Sequence, residues 1–179
     1  MCDYFAFLYR FDWYLMPEIA DSTASNSKLL KEFSKILTFL DNSYLKKICG
    51  DIALEVIKYG CYYGYVTLTK QGLVVQQLPI QYCRSRYKVG TKPAVEFNMR
   101  FFDTISDVNY RMKVLDLFPD EFKKGYYLYK KGKLPADVFG DIGGWYLLDI
   151  DSCVKFNFNG GDIPLFVNAI PNLIDLDAA

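Results

Sequence analysis

The sequence predicts an α+β fold in which amphipathic helices pack on antiparallel β-hairpins. Three observations predict it. Apolar residues recur at helical spacing between Lys28 and Ile57, the pattern changes to strand-like runs from Tyr62, and turns carrying Gly or Pro separate those runs. The 179 residues are 51% hydrophobic, with 15 Tyr and 14 Phe, which supports a sizeable core and excludes a disordered chain. Tyrosine in such number also suits interfaces, because the ring buries apolar area while the hydroxyl keeps a hydrogen bond.

Residues 1–27 read as an aromatic N-terminal arm followed by a polar linker, and residues 28–179 as one α+β domain. Leu29, Leu30, Phe33, Ile36, Leu37 and Leu40 form the apolar stripe of a first helix. Asp41-Asn42-Ser43 interrupts it and offers caps for a second helix, whose core face is Leu45, Ile48, Cys49, Ile52, Val56 and Ile57 and whose terminator is Gly60. Tyr62–Lys70 and Leu73–Leu78, joined at Gln71-Gly72, predict a β-hairpin. A second strand pair is expected from 81–89 and 94–103 around Gly90-Thr91-Lys92-Pro93, with Val95, Phe97, Met99 and Phe101 inward and Glu96, Asn98 and Arg100 in water. Ser106 is the expected cap of a helix reaching Leu117. Pro119-Asp120-Glu121 opens another helix, in which Gly125 is an unfavourable residue. Residues 145–150 and 153–158 read as a final strand pair turning at Asp151-Ser152. The tail from Pro164 is helical in pattern, is cut by Pro171 and ends without a helix-stop signal, so a truncated C-terminus is expected.

Twenty-one basic and 21 acidic residues cancel, so no global field draws the chain to nucleic acid or to an anionic membrane. The N-terminal apolar stretch is broken by Arg10 and Asp12 and lacks a basic leader, and the reading is of no signal peptide and no membrane span. The five cysteines, Cys2, Cys49, Cys61, Cys83 and Cys153, include no C-x-x-C pair and are expected as buried reduced thiols of an intracellular protein.

The chain has no histidine, which removes the side chain most used for proton transfer near neutral pH and the commonest zinc ligand. The expectation is a protein with no catalytic residues, no cofactor and no metal. Asp149 and Asp151 are the exception to weigh: on a strand their carboxylates share a face and could bridge a divalent ion to a phosphate, and with a third carboxylate and a phosphate clamp nearby they would make a metal-dependent phosphoryl or nucleotidyl transferase. No nucleotide-cradling loop accompanies them, and the glycine clusters at 140–144 and 159–162 read as turns. Arg84, Arg86, Lys88, Lys92 and Arg100 make the most basic local patch, with Tyr82 and Tyr87 beside it. It is the candidate surface for a polar partner or DNA, or else a solvated outer face paired with Glu96. Lys123, Lys124, Lys130, Lys131 and Lys133 around Tyr126, Tyr127 and Tyr129 form a second cluster, read as solvated.

The order of these parts carries a resemblance. A helix ending Glu55-Val56-Ile57-Lys58-Tyr59-Gly60 runs directly into Tyr62-Tyr63-Gly64-Tyr65-Val66, and the partner strand leaves through Leu78-Pro79 with Tyr82 and Arg84 after it. Val154-Lys155-Phe156-Asn157-Phe158 then leads through a Gly-containing corner to Ile163-Pro164-Leu165, and Asp12-Trp13-Tyr14-Leu15-Met16-Pro17 stands upstream of the first helix. In this the chain resembles the wing-and-clip portion of portal proteins, the head-tail connectors of tailed bacteriophages. The resemblance implies a structural subunit of a homo-oligomeric ring at the capsid vertex, with capsid, tail and packaging proteins as partners and double-stranded DNA passing through without sequence preference. It also implies a virion component assembled in the host cytoplasm. Portal stem helices, terminase-facing clip and channel loop have no counterpart placed in this sequence, which implies a truncated portal. A non-catalytic adaptor that uses Arg84, Arg86 and Lys88 is the alternative.

Overall fold

The computed structural model describes residues 2–4, 6, 15–16, 26–70, 72–136, 140, 143–158 and 160–169. Most of the expected N-terminal arm, and the tail beyond residue 169, lie outside the described residues. The α+β class is the observed one, with helices and small antiparallel sheets. Instead of an arm and one domain, the chain groups into two compact units. One comprises Met1–Tyr62, Val66–Gln76 and Phe156–Ala179, and the other Tyr63–Tyr65 and Gln77–Lys155.

In the first unit, α1 (Asn26–Asn42) packs against α2 (Leu45–Tyr59). The apolar stripe of α1 is real but no member of it is fully buried. The expected caps are not used. Asp41 and Asn42 stay inside α1, and Tyr44 precedes α2 in a left-handed conformation with no side-chain cap. The Ser43 hydroxyl instead donates to the Phe39 carbonyl (2.7 Å) and accepts from the Leu73 N–H (2.7 Å), which ties the helix turn to the strand beyond it. Gly60 ends α2 as expected: its φ is +85°, its N–H donates to the Val56 carbonyl, and a Cβ there would lie 2.5 Å from the Ile163 backbone.

Strands β1 (Cys61–Leu68) and β2 (Leu73–Gln77) form the expected hairpin, with β1 central between β2 and β8 (Cys153–Asn157). Thr69 N–H donates to the Gly72 carbonyl and Leu78 N–H to the Tyr63 carbonyl, each at 2.9 Å. That register sets Leu68 opposite Leu73 and Val66 opposite Val75, so all four side chains share one face.

The second unit departs further from the expectation. The second strand pair is broken into β3 (Cys83–Arg84), β4 (Lys88–Val89), β5 (Lys92–Pro93) and β6 (Glu96–Asn98). Strand β3 pairs β6 antiparallel, and β4 pairs β5 across a two-residue turn, Gly90-Thr91. The expected inward-outward alternation fails, because Ala94, Val95, Glu96 and Phe97 are all buried. The strand also stops early. Asn98 Oδ1 accepts from the Arg100 N–H (3.1 Å), and α3 (Arg100–Asp103) turns Phe101 and Phe102 onto the rings of Phe97 and Phe118.

Helix α4 (Val108–Asp116) is capped by Asp107 rather than Ser106: its carboxylate accepts from the N–H groups of Asn109 (2.8 Å) and Tyr110 (3.3 Å). Helix α5 (Asp120–Lys130) starts after Pro119 with Asp120 and Glu121 in its first turn, as the sequence suggests. Its Phe122 completes the aromatic core with Phe97, Phe118 and Tyr65. The last two strands do not form a hairpin: β7 (Trp145–Leu147) pairs β6, whereas β8 joins β1.

Candidate functional site

The five basic candidates, all in the second unit, meet different surroundings. Arg84 is turned inward: its Nε donates to Glu96 Oε2 (2.7 Å) and its guanidinium lies 3.9 Å from the centre of the Trp145 ring. Arg86 reaches the same oxygen at 3.4 Å. Glu96, read from the sequence as a wet-face residue, is 1% exposed. An isolated carboxylate at that depth is costly, so its two arginines are its compensation and not a free cationic surface. Lys92 donates to Asp151 Oδ1 (2.5 Å) in an exposed pair. Lys88 and Arg100 are exposed, on β4 and at the start of α3. The expected alternation of Arg84, Arg86 and Lys88 along one strand is absent, because residues 85–87 are not in a strand.

The acidic pair meets the same outcome. Asp149 and Asp151 flank a turn rather than a strand. Asp149 Oδ2 accepts from the Ser152 hydroxyl (2.6 Å), while Asp151 pairs with Lys92. Among the described residues no group of three or more Asp, Glu, Cys or His is placed to hold a metal ion.

Gly160 has a positive φ, which suits its place in a turn. The second lysine cluster is largely paired. Lys123 lies 3.1 Å from Asp120 and 3.4 Å from Asp116, Lys130 lies 3.0 Å from Asp103, and Lys131 stands 4.1 Å over the Tyr127 ring. All five thiols are free of disulfides, and Cys61, Cys83 and Cys153 are buried. Burial, reinforced by Glu121 and Asp149, pushes the Cys153 thiol up to about 12 and holds it neutral.

Two arrangements were missed by the sequence reading. Glu121 ties three segments, accepting from the Tyr65 hydroxyl (2.8 Å) through one oxygen and from the Asp149 N–H (2.7 Å) through the other. Burial and then this carboxylate push the Tyr65 phenol up to about 12. The second is a cavity of about 320 Å³ in the first unit, lined by Cys49, Ile52, Ala53 and Val56 of α2 and by residues 156–158. The signal for it was present, because positions 49, 52, 53 and 56 make one helical face; Cys49, Ile52 and Val56 of that face read as core in the sequence.

No helix among the described residues is long and apolar enough to cross a membrane. No protein-family model, curated protein or solved structure matches the chain.

Proposed function

We propose that the chain is a non-catalytic structural subunit of a ring-shaped portal, assembled from copies of itself at a phage capsid vertex, through which double-stranded DNA passes. The sequence resemblance supports the identity of the ring: α2, Gly60, the β1–β2 hairpin, the Leu78-Pro79 exit and the corner after β8 follow one another in the order of a portal wing.

The observation that carries the assembly role is the apolar face at the end of the hairpin. Leu68 is 73% exposed, and Leu73, Val66 and Val75 beside it on the same face are only partly covered. A contiguous apolar face open to water favours burial against another protein surface. The pairing of Arg84 and of the exposed Arg86 with the buried Glu96 neutralises part of the basic patch, which agrees with a conduit that makes weak contacts with DNA.

Negative-stain microscopy of the full-length protein tests the proposal. Closed rings are expected. Particles no larger than a single copy at tens of micromolar would refute it.

A further inference from the structure

The cavity beside α2 points to a ligand. Cys49, Ile52, Ala53 and Val56 stand at positions i, i+3, i+4 and i+7 of the helix and form one wall, and Phe156 and Phe158, two apart on one chain, form the other. Asn157 is the polar residue of the lining, and its amide donates to Asp162 Oδ1 (2.9 Å). Among the described residues no charged side chain lines the space. Phe156 is 46% exposed and Cys49 partly exposed, so the cavity is reached from water along these residues.

Its volume sets the size of an occupant. An engineered apolar cavity of about 150 Å³ takes one benzene ring, and about 320 Å³ is roughly twice that. The chemistry of the walls sets the class. Two phenylalanine rings offer edge and face contacts to another ring, and a thiol sulfur is a soft, polarisable neighbour for one. Burial raises the Cys49 thiol above its ordinary range, so it remains neutral at physiological pH and adds no charge to the walls.

We propose that this cavity is a binding site for an uncharged aromatic molecule of about two fused rings. The site is independent of the ring reading and of the basic residues of the second unit.

Indole, uncharged and bicyclic, is the probe. Binding is measured by calorimetry, and the alkylation of Cys49 by N-ethylmaleimide is followed by peptide mass spectrometry, with Cys2, which does not line the cavity, as the internal reference. Saturable binding is expected, with Cys49 alkylation slowed about tenfold at an indole concentration ten times its dissociation constant and Cys2 unaffected. Ala53→Phe, which fills the space from its own wall, abolishes both effects while the circular dichroism spectrum is kept. Absence of protection in the unmodified protein up to the solubility limit of indole would overturn the proposal, and that measurement stands alone if Ala53→Phe does not fold. Undiminished binding by a folded Ala53→Phe protein would overturn the location. Equal protection by an aliphatic alcohol of similar volume would overturn the aromatic class.

Discussion

Arg84 Nε lies 2.7 Å from Glu96 Oε2, and the Glu96 side chain is 2% exposed. The pair bridges β3 and β6, whose register places the two residues directly opposite. Removing one partner of such a pair leaves a buried charge with reduced compensation, a loss of about 3 kcal/mol. Arg84→Ala is therefore expected to lower unfolding stability in urea by about that amount, moderated by the second contact from Arg86. Lys88→Ala and Arg100→Ala, at exposed positions, are each expected to stay within about 0.5 kcal/mol of the parent. Equal effects at all three positions would show that Arg84 is an ordinary surface cation.

Tyr65 and Glu121 are 56 positions apart in sequence and joined at 2.8 Å. Tyr65→Phe keeps the ring on Phe122 and removes only the donated hydrogen bond. Because the acceptor is a carboxylate, a loss of about 1.5–3 kcal/mol is expected in chemical denaturation. The same phenol predicts an alkaline limit. Its folded value is raised from 10.0 to about 12, so its contribution is complete below pH 10 and lost as pH rises through about 12. In Tyr65→Phe that component of the alkaline loss should vanish.

Gly125 sits inside α5, where alanine is intrinsically the better helix former by about 1 kcal/mol. A Cβ at this position would lie 2.5 Å from Met99 Cε and 2.9 Å from Tyr146 Cδ1. Met99 is fully buried and Tyr146 partly so, and relieving such an overlap costs about 1–3 kcal/mol. Gly125→Ala is expected to be net destabilising. A gain in melting temperature would mean that the core at Met99 yields freely.

Asp103 gives an acid-side prediction. Burial alone would raise its carboxyl, but hydrogen bonds from the Tyr126 hydroxyl (2.7 Å) and Lys130 Nζ (3.0 Å) outweigh it and lower the value below 3.8. A depressed carboxyl contributes stability that is present above its unfolded value and lost as pH falls through the folded one. Asp103→Asn should therefore be less stable than the parent at pH 5–7, and the difference should shrink steadily below about pH 4. A pH-independent difference would assign the effect to packing.

The helices were legible where a periodic stripe had a clear terminator. Helix α2 ends at Gly60, and α5 starts where Pro119 and two acids mark it, because those signals are local. The final strand pair was not legible. Residues 145–147 and 153–157 look like hairpin partners across Asp151-Ser152, yet β7 and β8 belong to different sheets, a choice made by strands far away in sequence. Glu96 misled for the same reason. Alternation assigned it to water, and only the placement of Arg84 and Arg86 makes its burial affordable. The helical face that lines the cavity was legible but the empty space was not, since four apolar residues on one helical face look the same whether another element fills them or not.

Assembly is expected to run through apolar surface rather than through the basic patch. Native mass spectrometry of the full-length protein, before and after incubation in about 0.5 M salt, addresses it directly, because at that ionic strength exposed charges are screened within a few ångströms while apolar contacts persist. One defined copy number greater than one, unchanged by salt, is the predicted result. A monomer under both conditions, or an oligomer that falls apart in salt, would contradict it.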